Sequence, residues 1–146
     1  MLPDSSFAAY SRAKTILRKL WKPISYRMGD FRNLKAWQEA KSLAVLSRSF
    51  IKRLPSEERY ALGDQWRRAS YSVVLNLAEG NSRRGPREFR RYLDFARSSL
   101  HEIEGILELI IALEYFTEEE LRPVRIKRAN CARLVYALLR RLDDAA

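Results

Sequence analysis

LGDQWRRASYSVVLNLAEGNSRRGPREFRRYLDFARSSLHEIE, running from Leu62 to Glu104, holds two helical patterns joined by an arginine-rich turn. The first half places Leu62, Trp66, Ala69, Val73 and Leu77 at steps of three and four, the spacing of one helix face. Gly80 to Gly85 interrupts the pattern, and Pro86 suits the first position of a new helix, where no amide donor is needed. Beyond it Phe89, Leu93, Ala96, Leu100, Ile103, Leu107 and Ile110 alternate steps of four and three without a miss. That is the seam of a helix packed at a shallow angle in a bundle. So short a connection makes the two helices antiparallel neighbours.

Working outward, the same periodicity predicts a helix before this pair and another after it. The first spans Phe31 to Arg53, with Ala36, Trp37, Ala40, Leu43, Ala44, Phe50, Ile51 and Leu54 on its apolar side. Pro55 ends it, because proline disfavours helical geometry in the residue before it. Ser56 is expected to cap the second helix, with Glu57 and Glu58 at the positive end of its dipole. Thr117 and Glu120 have the spacing of a capping box opening the fourth helix. Its stripe is Leu121, Val124, Cys131, Val135, Leu138 and Leu142, with Arg128 intruding. No segment alternates as a strand does. The expected fold is all-α: an up-down-up-down antiparallel four-helix bundle over 30–146, preceded by a basic extension at 1–29 that is poorly ordered or forms a short helix.

In that extension Phe7 to Trp21 would be amphipathic, with Ile16, Leu17, Leu20 and Trp21 on one side. It could lie on a membrane surface or in a partner's groove, and it loosely resembles a transit peptide. Alternatively it is an addition ahead of the four-helix domain, whose first helical pattern opens at Phe31. No apolar run approaches the roughly 18 residues of a membrane span, so no stable membrane insertion is expected. A single cysteine, Cys131, forms no internal disulfide, which with the missing secretory signal makes a cytoplasmic location the expectation.

The residue inventory argues against several chemistries. One histidine, His101, cannot supply the two Glu-x-x-His motifs of a di-iron bundle or the paired histidines of a helical zinc site. Cys131 lies on an apolar stripe, where cysteine behaves as a small buried hydrophobe rather than a nucleophile for His101. Glu102, Glu104 and Glu108 could form an acid/base pair, but carboxylates one turn from arginines are usually their surface partners. There is no glycine-rich phosphate loop. We therefore expect no enzyme activity, no metal and no cofactor.

Charge is the positive signal: 28 basic residues against 18 acidic ones give +10, and 21 of the basic residues are arginine. Arginine's planar fork matches phosphate oxygens in pairs, which favours a polyanionic partner, nucleic acid ahead of anionic lipid. The concentration lies at the turn. Arg83, Arg84, Arg87, Arg90 and Arg91 fall within nine residues, Arg97 lies further along, and Arg67 and Arg68 precede them. Arg87, Arg90 and Arg91 are expected on one face near a helix N-terminus, where free amides also attract phosphate. A second set, Gln65, Ser72, Asn76 and Glu79, marks a polar ridge on the second helix, and Gly80 completes this structural motif. Asn76 continues the apolar seam, so it needs either a structural partner or a role in contact.

These residues carry a family resemblance. Phe31, Leu34, Trp37 and Ala40 at the start, then Gln65, Arg67, Arg68, Ala69, Ser72, Asn76, Ala78, Glu79 and Gly80, match its first and central patterns. The match continues through Arg83, Glu88, Phe89, Leu93, Ala96, Ser99, Leu100 and Glu102. Over Phe31 to Tyr115 the chain resembles the four-helix bundle proteins encoded in intervening sequences of bacterial large-subunit ribosomal RNA genes. The resemblance implies ring-shaped homopentamers and an association with RNA. The chain departs from the pattern at Gly85, where Ser or Thr is usual, and at Val73-Val74, where Ile-Pro is common. A related bundle is the accessory variability determinant of diversity-generating retroelements, which implies a reverse transcriptase and its RNA as alternative partners. A structural scaffold without nucleic acid is the remaining alternative. For assembly, Trp37, Phe50, Tyr92, Phe95, Ile106 and Leu109 lie beside the main stripes and are expected to meet other subunits.

Overall fold

The computed structural model describes residues 29–144, so the expected helix at Phe7 to Trp21 lies outside the described residues. Four long helices make up nearly all of it: α1 (Lys35–Ile51), α2 (Leu62–Ser82), α3 (Pro86–Ala112) and α4 (Glu118–Asp144). No strand occurs among the described residues. Each helix packs on its neighbours in sequence, and α1 also packs on α4, which closes the circuit around one core. Leu43, Trp66, Val73, Leu77, Leu93, Leu100, Ile103, Leu107, Leu121 and Val124 are among its fully buried side chains, drawn from all four helices.

Two boundaries differ from the sequence reading. The first helix opens as a single 3-10 turn, Phe31–Asn33, held by Asp30, whose carboxylate accepts from the Arg32 amide at 3.0 Å. That bond, ahead of the guanidinium beside it, holds the Asp30 carboxyl below its usual range. Ser56 is not a cap. It begins an isolated turn, Ser56–Arg59, behind Pro55, and α2 restarts only at Leu62 after Ala61 leaves helical geometry at φ −107°, ψ −92°. The break lets the chain double back tightly: a Cβ on Gly63 would sit 3.1 Å from Ile51 and 3.3 Å from the Glu58 carbonyl. Arg59 donates back to the carbonyls of Lys52 at 3.2 Å and Leu54 at 3.4 Å, satisfying groups that the end of α1 leaves open.

The expected capping box is formed. Thr117 Oγ1 accepts from the Glu120 amide at 3.1 Å, and Glu120 accepts from the Thr117 amide at 2.8 Å. At the far end of α4 the buried residue is Leu139, with Leu138 half-buried. A 27-residue straight helix drifts against a strict seven-residue repeat, so a four-residue step from Val135 reaches the core better than a three-residue one. Of the apolar residues assigned to outer contacts, Phe50 and Ile106 belong to the core. Phe50 packs edge-on to Phe116, with centroids 5.3 Å apart, and lies 6.4 Å from Trp66. Trp37 and Tyr92 are half-buried, and only Phe95 and Leu109 of that set stay exposed.

Candidate nucleic-acid interface

The turn between α2 and α3 takes its shape from two glycines. Gly80 brings the helices together: a Cβ there would lie 2.6 Å from Tyr92 Cβ and 3.1 Å from the Phe89 ring. Gly85 precedes α3 at φ +91°, ψ 154°, a backbone region that is essentially glycine's alone. Gly85 stands at the cap position of α3, where the resembled pattern has Ser or Thr, and supplies no side-chain cap bond. A side chain cannot adopt this geometry without strain. Pro86 follows as the first residue of α3, as expected.

Below the turn, the polar ridge of α2 is turned toward α3 and bonded. Asn76 Nδ2 donates to the Ser72 carbonyl at 2.8 Å and to Ser72 Oγ at 3.0 Å. Ser99 Oγ of α3 donates to the same Ser72 hydroxyl at 2.9 Å. Gln65 reaches Glu102, and Tyr92 OH donates to Glu79 at 3.0 Å. These partners account for the half-buried amide of Asn76 without any ligand. Glu79 also pairs with Arg83, whose guanidinium lies 5.2 Å from the centroid of the Tyr92 ring. Hydrogen bonds from Arg83 and then Tyr92 hold the Glu79 carboxyl below its usual range, and Glu79 in turn raises Arg83.

The eight arginines singled out from the sequence divide into two groups. Arg67 pairs with Asp64, Arg83 with Glu79, Arg90 with Asp143 of α4, and Arg97 with Asp94 at 3.3 Å. Arg90, adjacent to Arg91 and three residues beyond Arg87 on α3, is thus taken up by a carboxylate of α4. Arg68, Arg84, Arg87 and Arg91 are exposed and have no carboxylate partner among the described residues. Arg91 lies 5.6 Å from the Phe95 ring centroid. Three of these four, Arg84, Arg87 and Arg91, flank the first turn of α3, whose amides add partial positive charge. The same end of the molecule carries Lys35 and Arg141, which rim a shallow cleft of about 270 Å³ floored by Leu34, Ala36, Leu134, Ala137 and Leu138. The sequence reading missed that cleft, because it joins the start of α1 to the end of α4.

At the opposite end Arg125 and Arg128 are engaged. Arg125 pairs with Glu108 at 2.6 Å, with Glu118 at 2.8 Å and with Glu104, and Arg128 also pairs with Glu104. Glu104 and Glu108 are thus partners of arginines rather than an acid/base pair, and Glu102 is bonded to Gln65. Burial alone would lower the Arg125 pKa, but Glu108, Glu104 and Glu118 together raise it. Cys131 is fully buried and its thiol is pushed up to about 12, mainly by burial. No group of three or more His, Cys, Asp or Glu that could hold a metal occurs among the described residues. No described helix is long and apolar enough to cross a membrane.

The described residues define a basic, all-helical protein in which three exposed arginines without carboxylate partners, Arg84, Arg87 and Arg91, flank one interhelical turn. The chain belongs to the 23S rRNA-intervening sequence protein family, whose model matches residues 32–137. A crystal structure of a protein of unknown function from the S23 ribosomal protein family of Bacteroides thetaiotaomicron is similar in fold. It is 22% identical, with a TM-score of 0.67, and the match covers 71% of this chain and 97% of that one. Comparison with curated proteins finds no match.

Proposed function

We propose that this chain is a non-enzymatic RNA-binding protein of the cytoplasm, working as a homo-oligomer of up-down-up-down antiparallel bundles. The observation that carries the reading is that four of the eight arginines on and around the α2–α3 hairpin, Arg68, Arg84, Arg87 and Arg91, are exposed without carboxylate partners among the described residues. A solvated arginine already held by a carboxylate gains little from a phosphate, whereas one without such a partner gains a charge-assisted bond. Contacts that run antiparallel from helix to helix support the bundle topology: Gln65 meets Glu102 while Glu79 meets Tyr92, and Glu39 meets Lys127 while Arg53 meets Glu120. Five copies are what the family resemblance implies, and they would repeat the turn around a ring as a positive belt.

Binding of this kind is led by charge and shape, with little discrimination among bases. Each phosphate contacted releases counterions, so the logarithm of affinity falls with that of salt by roughly 0.7–0.9 per contact. The test is a filter-binding or anisotropy titration of structured RNA over a salt series, comparing the parent with an Arg84→Glu, Arg87→Glu double variant. The variant should bind at least tenfold more weakly at low salt, with a slope shallower by roughly 1.4–1.8 for two lost contacts. Equal affinity and equal slope would remove the turn as the binding surface.

A further inference from the structure

Two helix faces carry a regular pattern that the core does not use. On α3, Glu88, Arg91, Phe95, Ser98, Glu102, Gly105 and Leu109 follow steps of three and four along the side turned away from the buried seam. On α4, Arg122, Ile126, Ala129, Arg133, Tyr136 and Arg140 do the same. Steps of three and four keep residues on one side of a helix, which is how a packing seam is built. Both faces hold large apolar residues in water: Phe95 is 45% exposed, Leu109 47%, Ile126 54% and Tyr136 58%.

We propose that the outer face of α3 docks against the outer face of α4 of a second copy of this chain. Charge complementarity is the first support: the α3 face offers Glu88 and Glu102, the latter also bonded to Gln65, against a single base, Arg91 at its turn end, while the α4 face offers Arg122, Arg133 and Arg140 and no acid. Level is the second. Within one molecule Arg90 lies opposite Asp143, and Glu104 opposite Arg128 and Arg125, so positions on the two helices share a common ruler. On it Phe95 is level with Tyr136 and Gly105 with Ile126, while Glu102 stands within one turn of Arg133 and Glu88 within one turn of Arg140. Copies set side by side with parallel bundle axes therefore bring like heights into register, ring against ring and acid against base.

Gly105 is the third support. It sits inside a 27-residue helix, where glycine is a poor choice, and a Cβ there would meet nothing within 4 Å. Packing within one chain gives no reason for it. Between Glu102 and Leu109 it leaves a notch on the α3 face, level with the exposed branched side chain of Ile126. A second copy's Ile126 filling that notch accounts for the glycine.

The contact joins two different faces of the molecule, so it is heterologous and repeats from copy to copy. Because α3 and α4 are adjacent helices, the two faces meet at a corner of the bundle rather than opposite each other. Repetition through a corner turns each copy relative to the last, which makes a ring where the turns sum to a full rotation, whereas opposite faces would extend a filament. The inference rests on the homo-oligomer in the proposed function and assigns its interface, independently of RNA.

Mass photometry of the full chain, with circular dichroism as a fold control, tests it. The parent should form a closed oligomer. Glu102→Arg and Arg133→Glu should each shift most particles to smaller species at unchanged helicity, and combining them should restore the parent distribution. Gly105→Trp should also disperse the assembly, whereas Arg84→Glu with Arg87→Glu should leave it whole. A monomeric parent overturns both the assembly and this interface. An assembled parent that tolerates Glu102→Arg, Arg133→Glu and Gly105→Trp overturns the interface alone. RNA binding lost while assembly and charge-swap rescue persist would leave this contact standing.

Discussion

Arg87 and Arg125 are the same residue in opposite settings, at opposite ends of one helical circuit. At the turn between α2 and α3, Arg84, Arg87 and Arg91 stand in water without a carboxylate partner. At the far end the Arg125 side chain is only 18% exposed and is gripped by Glu104, Glu108 and Glu118. Counting arginines does not separate the two ends; the placement of glutamates does. At the far end Arg125 ties α3 to α4, whereas at the turn three arginines stay available beside Arg83 and Arg90, which are paired.

That contrast predicts unequal costs. Arg125→Met leaves three glutamates around an uncharged stem and should destabilise the fold by about 2–3 kcal/mol in urea denaturation, below the fully buried case because Glu108 and Glu118 are exposed. Arg87→Met should stay within about 0.5 kcal/mol in the same experiment, as surface changes usually do. Equal losses at both positions would erase the distinction between the ends.

Gly85→Ala sharpens the comparison at the turn itself. Nothing lies within 4 Å of the added carbon, so the cost is backbone strain alone, about 1–3 kcal/mol by thermal melting. A fully tolerated alanine would mean that the turn can take another shape, and the spacing of its arginines would no longer be fixed.

Acid should loosen both ends through different carboxylates. Glu79 is held down chiefly by Arg83, and Glu120 chiefly by the Thr117 amide. A carboxyl with a depressed pKa contributes stability that is present above its unfolded value, about 4.3, and is lost as pH falls through the folded value. Resonances of Tyr92 and Thr117 should therefore shift below about pH 4, with no change between pH 6 and 8. Tyr92 shifting near neutrality instead would show that Glu79 is not held by Arg83. The smallest effect is expected from deleting Met1 to Arg27. This should change the melting temperature by no more than about 1 kcal/mol would, because the described core is complete from Phe31 onward. A larger loss would place part of the extension on the bundle.

Most of the fold was legible because its signals are local. The seam from Phe89 to Ile110, Pro86 at the start of α3 and the Thr117–Glu120 pair each fix a helix from its own residues. The failures have non-local causes. Ser56 looks like a cap, yet tight packing of Gly63 on the end of α1 breaks the helix after Arg59. Leu139 replaces Leu138 in the core because a straight helix drifts. At the candidate site the basic composition was readable, but the pairing of Arg90 with Asp143 joins residues far apart in sequence.

The circuit that closes α1 onto α4 also sets an order in time. Cys131 Sγ lies 3.7 Å from the Ala36 carbonyl, 95 residues earlier in the chain. At about 5–20 residues per second of synthesis, the side of α1 meant for α4 waits on the order of 5–20 s for its partner. The α2–α3 hairpin, closed by its short turn, has no such delay. During synthesis the arginine turn is therefore assembled before the core is sealed, and an emerging chain presents its basic hairpin while α4 is still being made.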